Sequence, residues 1–126
     1  MMKILPINSY NFSFGSKRQF KRMFKTCTYS GEPFERFDTR TIEHIKPLSE
    51  GGKNDYSNYL VVKRSWNERR SSQPLGEFIK KYPEAEENIR QAVISQEGKT
   101  IDGIDWSTEV KKTLEEEIGR DIFYSE

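Results

Sequence analysis

Two adjoining stretches decide the reading: Glu43-His44-Ile45-Lys46-Pro47-Leu48-Ser49-Glu50-Gly51-Gly52, then Asn58-Tyr59-Leu60-Val61-Val62 running on to Asn67-Glu68-Arg69-Arg70. Residues 34–45 alternate and are rich in β-branched and aromatic side chains (Phe37, Thr39, Thr41, Ile42, Ile45), which predicts a strand. Pro47, Gly51, Gly52, Asn54 and Asp55 follow as a dense cluster of loop formers. Residues 59–62 are an apolar run of strand length that can return across the loop and pair antiparallel with 41–44. Ser65 and Glu68 have the Ser-x-x-Glu spacing of a capping box, so a helix is predicted to start there, with Asn67 in its first turn and Pro74 at its end.

His44 is the sole histidine of the chain and directly follows Glu43 at the end of the first predicted strand. A neutral imidazole can take a proton from water near neutral pH, and a carboxylate beside it can hold a cation. Successive strand residues point to opposite faces, so the two share one site only where the strand ends or bends. Alone, a histidine at a strand end is more often structural than catalytic; the order of residues around it is what gives it weight.

Across residues 27–75 these segments resemble the HNH endonuclease motif, also called the His-Me finger or ββα-metal motif. In that family an acidic residue followed by histidine ends the first strand, a loop with Pro and Gly-Gly leads to an asparagine, and a helix supplies a third histidine or asparagine. The resemblance implies an α+β fold, a ββα-metal core with flanking helices. It implies His44 as general base, Glu43 and Asn67 as ligands of a divalent cation, and Asn58 as the loop residue that holds the hairpin and the base in place. This is an HNN variant, with glutamate where aspartate is commoner. A carboxylate and an amide carbonyl are hard oxygen donors, so Mg²⁺ is the expected ion and Mn²⁺ the alternative. The implied reaction is hydrolysis of a DNA phosphodiester: His44 deprotonates water while the cation neutralises the scissile phosphate and the leaving 3′ oxygen. Many relatives carry two Cys-x-x-Cys knuckles around a structural zinc. Here the corresponding segments read Cys27-Thr28-Tyr29-Ser30 and Lys63-Arg64-Ser65-Trp66. No structural zinc is therefore expected, and Tyr29, Phe34 and Trp66 are expected to fill the space, with Cys27 as a small buried residue.

Working outward, charge supports a polyanionic partner. Through Leu75 there are 14 Lys and Arg against 7 Asp and Glu, and beyond it 7 against 13. The net charge of +1 thus conceals a basic part followed by an acidic one, and local field rather than net charge attracts phosphates. Arg69 and Arg70 are expected to fork onto phosphate, with Lys46, Lys63 and Arg64 adding charge near the same hairpin. DNA is the expected partner and RNA the alternative, and the acidic part leaves room for a protein partner.

The flanks read as helices. Residues 16–26 form a small basic amphipathic helix on Phe20, Met23 and Phe24, capped by Ser16, after an irregular arm over 3–14. Leu75, Phe78, Ile79 and Tyr82 predict a helix opened by Pro74; Ile89, Ala92 and Val93 predict another after Pro83, closed by Gly98. Val110, Leu114 and Ile118 predict a last one, capped by Ser107 and stopped by Gly119, with Lys111 and Lys112 facing Glu115 to Glu117.

The 126 residues suit one domain: an arm and basic helix (1–26), the core (27–75) and an acidic helical extension (76–126). A mean hydropathy of −0.88 with 13% aromatic residues predicts a modest, ring-rich core. A single cysteine excludes an internal disulfide. No apolar run approaches the roughly 20 residues of a membrane span, and residues 1–10 lack a signal peptide's pattern, so a cytoplasmic protein without a membrane partner is expected. The alternative to a nuclease is a catalytically inactive HNH-like module that binds nucleic acid or docks a protein.

Overall fold

The computed structural model describes residues 16–124, so the arm expected over 3–14 lies outside the described residues. The fold is α+β: among the described residues, one two-stranded antiparallel sheet and five α-helices. β1 (Arg40–His44) pairs with β2 (Tyr59–Lys63), Arg40 opposite Lys63 and His44 opposite Tyr59, and α2 (Arg64–Arg70) follows β2 without a break. Tyr59, Leu60, Val61 and Val62 are all buried, so β2 is covered on both faces, while β1 is mostly half-buried. That is why β2 reads as a continuous apolar run.

α1 (Ser16–Arg22), α3 (Leu75–Lys81), α4 (Glu84–Ser95) and α5 (Trp106–Ile118) supply the cover. Phe20, Phe24, Tyr56, Tyr59 and Trp106 form one aromatic cluster, with Phe24 edge-on to Trp106 at 5.0 Å and Phe20 5.1 Å from Tyr56. Trp106 Nε1 also donates to the Tyr59 carbonyl at 2.9 Å, locking the first turn of α5 onto β2. Tyr29, Trp66, Phe78 and Tyr82 form a second cluster. A buried ring removes roughly 150–250 Å² from water, which at about 25 cal/mol per Å² is on the order of 4–6 kcal/mol before ordering costs.

Four local expectations are corrected. The first helix ends at Arg22 instead of running to 26, because the Met23 and Phe24 N–H groups fall back three residues onto Phe20 and Lys21, and Thr26 then bridges to Pro33. β1 starts at Arg40 rather than 34, since a closed turn over 35–38 uses the local polar groups: the Glu35 N–H donates to Asp38 Oδ2 at 2.7 Å and the Asp38 N–H to the Glu35 carbonyl at 3.0 Å. The Ser65–Glu68 capping box does not form. The helix starts two residues earlier, with Lys63 at the cap position, the Arg64 N–H donating to the Thr39 carbonyl of the hairpin at 3.1 Å and Glu68 paired with Arg64 instead. Asp105, not Ser107, caps α5, accepting from the Thr108 N–H at 3.3 Å, while Ser107 is buried inside the helix.

Candidate active site

The loop after His44 is closed by a single side chain. Asn58, 1% exposed, accepts from the Lys46 N–H at 2.8 Å and donates through Nδ2 to the Lys46 carbonyl at 2.9 Å and the Lys53 carbonyl at 2.8 Å. Its own carbonyl takes the Ile45 N–H at 2.9 Å. One amide thus ties both ends of residues 46–53 to the hairpin. Gly52 is fixed by the same closure, because a Cβ there would lie 2.0 Å from the Lys46 carbonyl oxygen. Gly51 has φ of 89°, a left-handed conformation that other residues enter at a cost.

Where β1 runs into this bend, Glu43 and His44 line one open cleft of about 450 Å³ together with Leu48, Asn67, Ser71 and Ser72. His44 Nε2 lies 3.2 Å from Asn54 Oδ1, and the Tyr59 ring stands edge-on to the imidazole at 5.4 Å. Tyr59 Oη donates to the same Asn54 oxygen at 2.7 Å.

Glu43 is 6% exposed. Its Oε2 accepts from Tyr29 Oη at 2.7 Å and from Arg70 Nη1 at 3.3 Å. Burial raises the Glu43 carboxyl above the ordinary glutamate value, against the opposing pull of Arg70 and the Tyr29 hydroxyl. Burial, and then the charge of Glu43, push the Tyr29 phenol well above its usual value. Arg70 corrects an expectation: it is turned inward and 2% exposed, where it was expected to fork onto phosphate. Its Nε donates to the Gln73 carbonyl at 2.8 Å, Nη1 to the His44 carbonyl at 3.0 Å and Nη2 to the Ile45 carbonyl at 2.9 Å. The guanidinium holds the end of β1 from beneath.

Asn67 Nδ2 donates to Thr41 Oγ1 at 3.2 Å and, more weakly, to the Ile42 carbonyl at 3.4 Å. Asn67 Oδ1 and Glu43 Oε1 take no hydrogen bond from the described residues. Both residues line the cleft beside His44. Two oxygen acceptors without partners among the described residues, one a carboxylate and one an amide, suit a hard divalent cation. Among the described residues no three His, Cys, Asp or Glu side chains gather into a fuller cage, so other positions around such an ion would fall to water or substrate oxygens.

The other basic residues divide. Arg69 is exposed and lies over the Trp66 ring at 4.2 Å and the Tyr82 ring at 5.6 Å. Lys63 pairs with Glu32 at 3.5 Å and Asp38 at 3.3 Å, and Arg64 with Glu68 at 3.2 Å. The Arg64–Glu68 pair is exposed and of a kind worth little, whereas Lys63 and Asp38 are both half-buried. Lys46 is half-buried at the loop that Asn58 closes. Sequence reasoning passed over Asn54, Tyr29 as a partner of Glu43, and Asn88, which donates from α4 to the Tyr29 carbonyl at 2.8 Å. Only Asn54 carried a local signal, and it was shared by its loop-forming neighbours.

A hairpin whose first strand ends in an acid–histidine pair, a loop pinned by an asparagine and a helix carrying a second asparagine form a ββα unit. Residues 27–64, under a third of the chain, match the sequence model of the HNH endonuclease family, and this segment is similar to that family. No curated protein and no solved structure matches the chain. No helix of the described residues is long and apolar enough to cross a membrane.

Proposed function

We propose that the protein is a divalent-cation-dependent endonuclease that hydrolyses phosphodiester bonds of DNA, with His44 as general base. The observation that carries this reading is the cleft itself: His44, Glu43 and Asn67 line it together, and the two oxygens Glu43 Oε1 and Asn67 Oδ1 take no hydrogen bond from the described residues. Those two oxygens would hold the ion, Mg²⁺ or Mn²⁺, which when bound supplies charge neutralisation at the phosphate. His44 takes the proton of the attacking water. Asn58 keeps the loop closed against the end of β1, and Arg70 fixes the backbone on either side of the His44–Ile45 peptide. Arg69, exposed on α2, and Lys46, at the closed loop, are the basic groups we assign to a phosphate backbone.

The test is nicking of supercoiled plasmid by the purified chain. Cleavage with Mg²⁺, none with EDTA and none by a folded His44→Ala variant are expected. Cleavage that survives EDTA or His44→Ala overturns the assignment. A second reading, a module that binds nucleic acid without cutting it, draws on the engagement of Glu43 Oε2 by Tyr29 and Arg70. A gel shift without nicking would support it.

A further inference from the structure

The geometry points to Asn54 as the positioning residue that orients the His44 imidazole, with Tyr59 aiming the Asn54 amide; the inference rests on His44 being the base. Asn54 Oδ1 stands 3.2 Å from His44 Nε2 and accepts the Tyr59 hydroxyl at 2.7 Å. An amide oxygen has no hydrogen to give. With the oxygen turned toward the ring, the contact is a hydrogen bond only if Nε2 carries the proton. Nδ1 is then the ring nitrogen with a free lone pair, and it is the atom that takes the proton from water. The nitrogen that carries the hydrogen is set by the bond it makes, as in other histidine sites.

Tyr59 supplies the other half of the device. It sits opposite His44 in the strand register, is buried among the aromatic core residues and meets the imidazole edge-on, with the planes at 85°. Its hydroxyl therefore holds the Asn54 amide in place beside the ring from a rigid platform. Asn54 itself is an exposed loop residue that Asn58 brings under His44 by closing the loop on the Lys53 carbonyl. Neither Asn54 nor Tyr59 touches substrate in this scheme; both act through the ring.

The sole histidine of the chain makes the test direct. With ¹⁵N-labelled histidine at a pH where the ring is neutral, NMR should show Nε2 protonated, Nδ1 unprotonated, and the Nε2 proton retained long enough against exchange with water to be observed. In Asn54→Ala that proton should be lost to exchange and the two nitrogen shifts should move toward those of free histidine. Asn54→Asp, which keeps an acceptor oxygen, should restore the bound pattern. In the nicking assay Asn54→Ala should lose on the order of tenfold or more in kcat with KM unchanged, and Asn54→Asp should recover part of it. Protonation at Nδ1 in the wild type, or an unchanged Nε2 signal in Asn54→Ala, overturns the inference. If the NMR pattern holds and no plasmid is cut, the orientation stands and the nuclease reading falls; cleavage with the wrong tautomer gives the reverse.

Discussion

Replacing Arg70 separates two physical pictures of the same residue. On the surface a guanidinium in this helix would be one phosphate contact. Its loss would flatten the salt dependence of DNA affinity by about one unit of log K per log salt and leave stability nearly unchanged. The structure places it instead under β1, on Glu43, Tyr29 and the carbonyls of His44, Ile45 and Gln73. Arg70→Ala then leaves a buried carboxylate without its cation, which costs about 3–5 kcal/mol. Against a total of roughly 5–15 kcal/mol for a domain, that is a large share of the stability.

The assay is urea unfolding followed by the fluorescence of Trp66 and Trp106, both at least half-buried. The midpoint should fall sharply in Arg70→Ala. Arg70→Lys should recover only part of the loss, because one ammonium cannot reach the carbonyls that the fork spans. The pH dependence has a definite sign. Burial already raises the Glu43 carboxyl in the folded protein, and removing Arg70 takes away the largest opposing influence, so the folded value rises further. For an acid with a raised folded pKa the cost of folding grows as pH rises from the unfolded value to the folded one, is full above the folded value and vanishes below the unfolded one. The deficit of Arg70→Ala relative to wild type should thus be greatest at neutral pH and shrink in mild acid. An unchanged urea midpoint accompanied by a flatter salt dependence of DNA binding would refute the buried placement.

Asn58→Ala removes three hydrogen bonds from the closing loop; with part of the loop open to water, a loss of about 3 kcal/mol is expected by chemical denaturation, together with lost nicking. Gly52→Ala places a methyl 2.0 Å from the Lys46 oxygen, so backbone must shift and stability should fall by about 1–3 kcal/mol, read as a lower urea midpoint. Glu86 is held below the ordinary glutamate value by Arg120 first and Arg90 next. Its contribution is present above the unfolded pKa and lost as pH falls through the depressed one, so the Tm gap between wild type and Glu86→Gln should be visible at neutral pH and close in acid.

The hairpin and the helix after it were legible because their signals are local: alternation before His44, an apolar run at 59–62 and loop formers between. The burial of Asn58 follows from the same order, since a long loop between paired strands needs something to close it. Errors arose where a distant group took a local one's partner. Ser65 and Glu68 have the right spacing, but the Thr39 carbonyl reaches the helix start first. Asp105 and Ser107 are both cap formers two residues apart, and packing buries the serine. The inward turn of Arg70 has no sequence signature, since its acidic partner lies 27 residues earlier, and an arginine in a basic helix looks the same from sequence whether it faces solvent or core.

The segments 27–30 and 63–66 lie close enough to be joined by hydrogen bonds, and the contacts of the first reach the cleft. Cys27 Sγ accepts the Lys63 N–H at 3.3 Å, and Thr28 bonds the Val61 carbonyl through both its N–H at 3.0 Å and its hydroxyl at 2.8 Å. The next residue, Tyr29, puts its hydroxyl on Glu43 and its ring 4.8 Å from Phe78 of α3, while Asn88 of α4 holds its carbonyl. Phe78 in turn meets Trp66 at 6.2 Å. One buried tyrosine therefore links the start of the HNH segment, the acid beside His44 and two helices beyond Leu75. Loosening α3 or α4 would release Tyr29 from Glu43 and alter the carboxylate's surroundings without touching the cleft itself. The first two helices from Leu75 onward are thus packed against the residue whose hydroxyl meets Glu43.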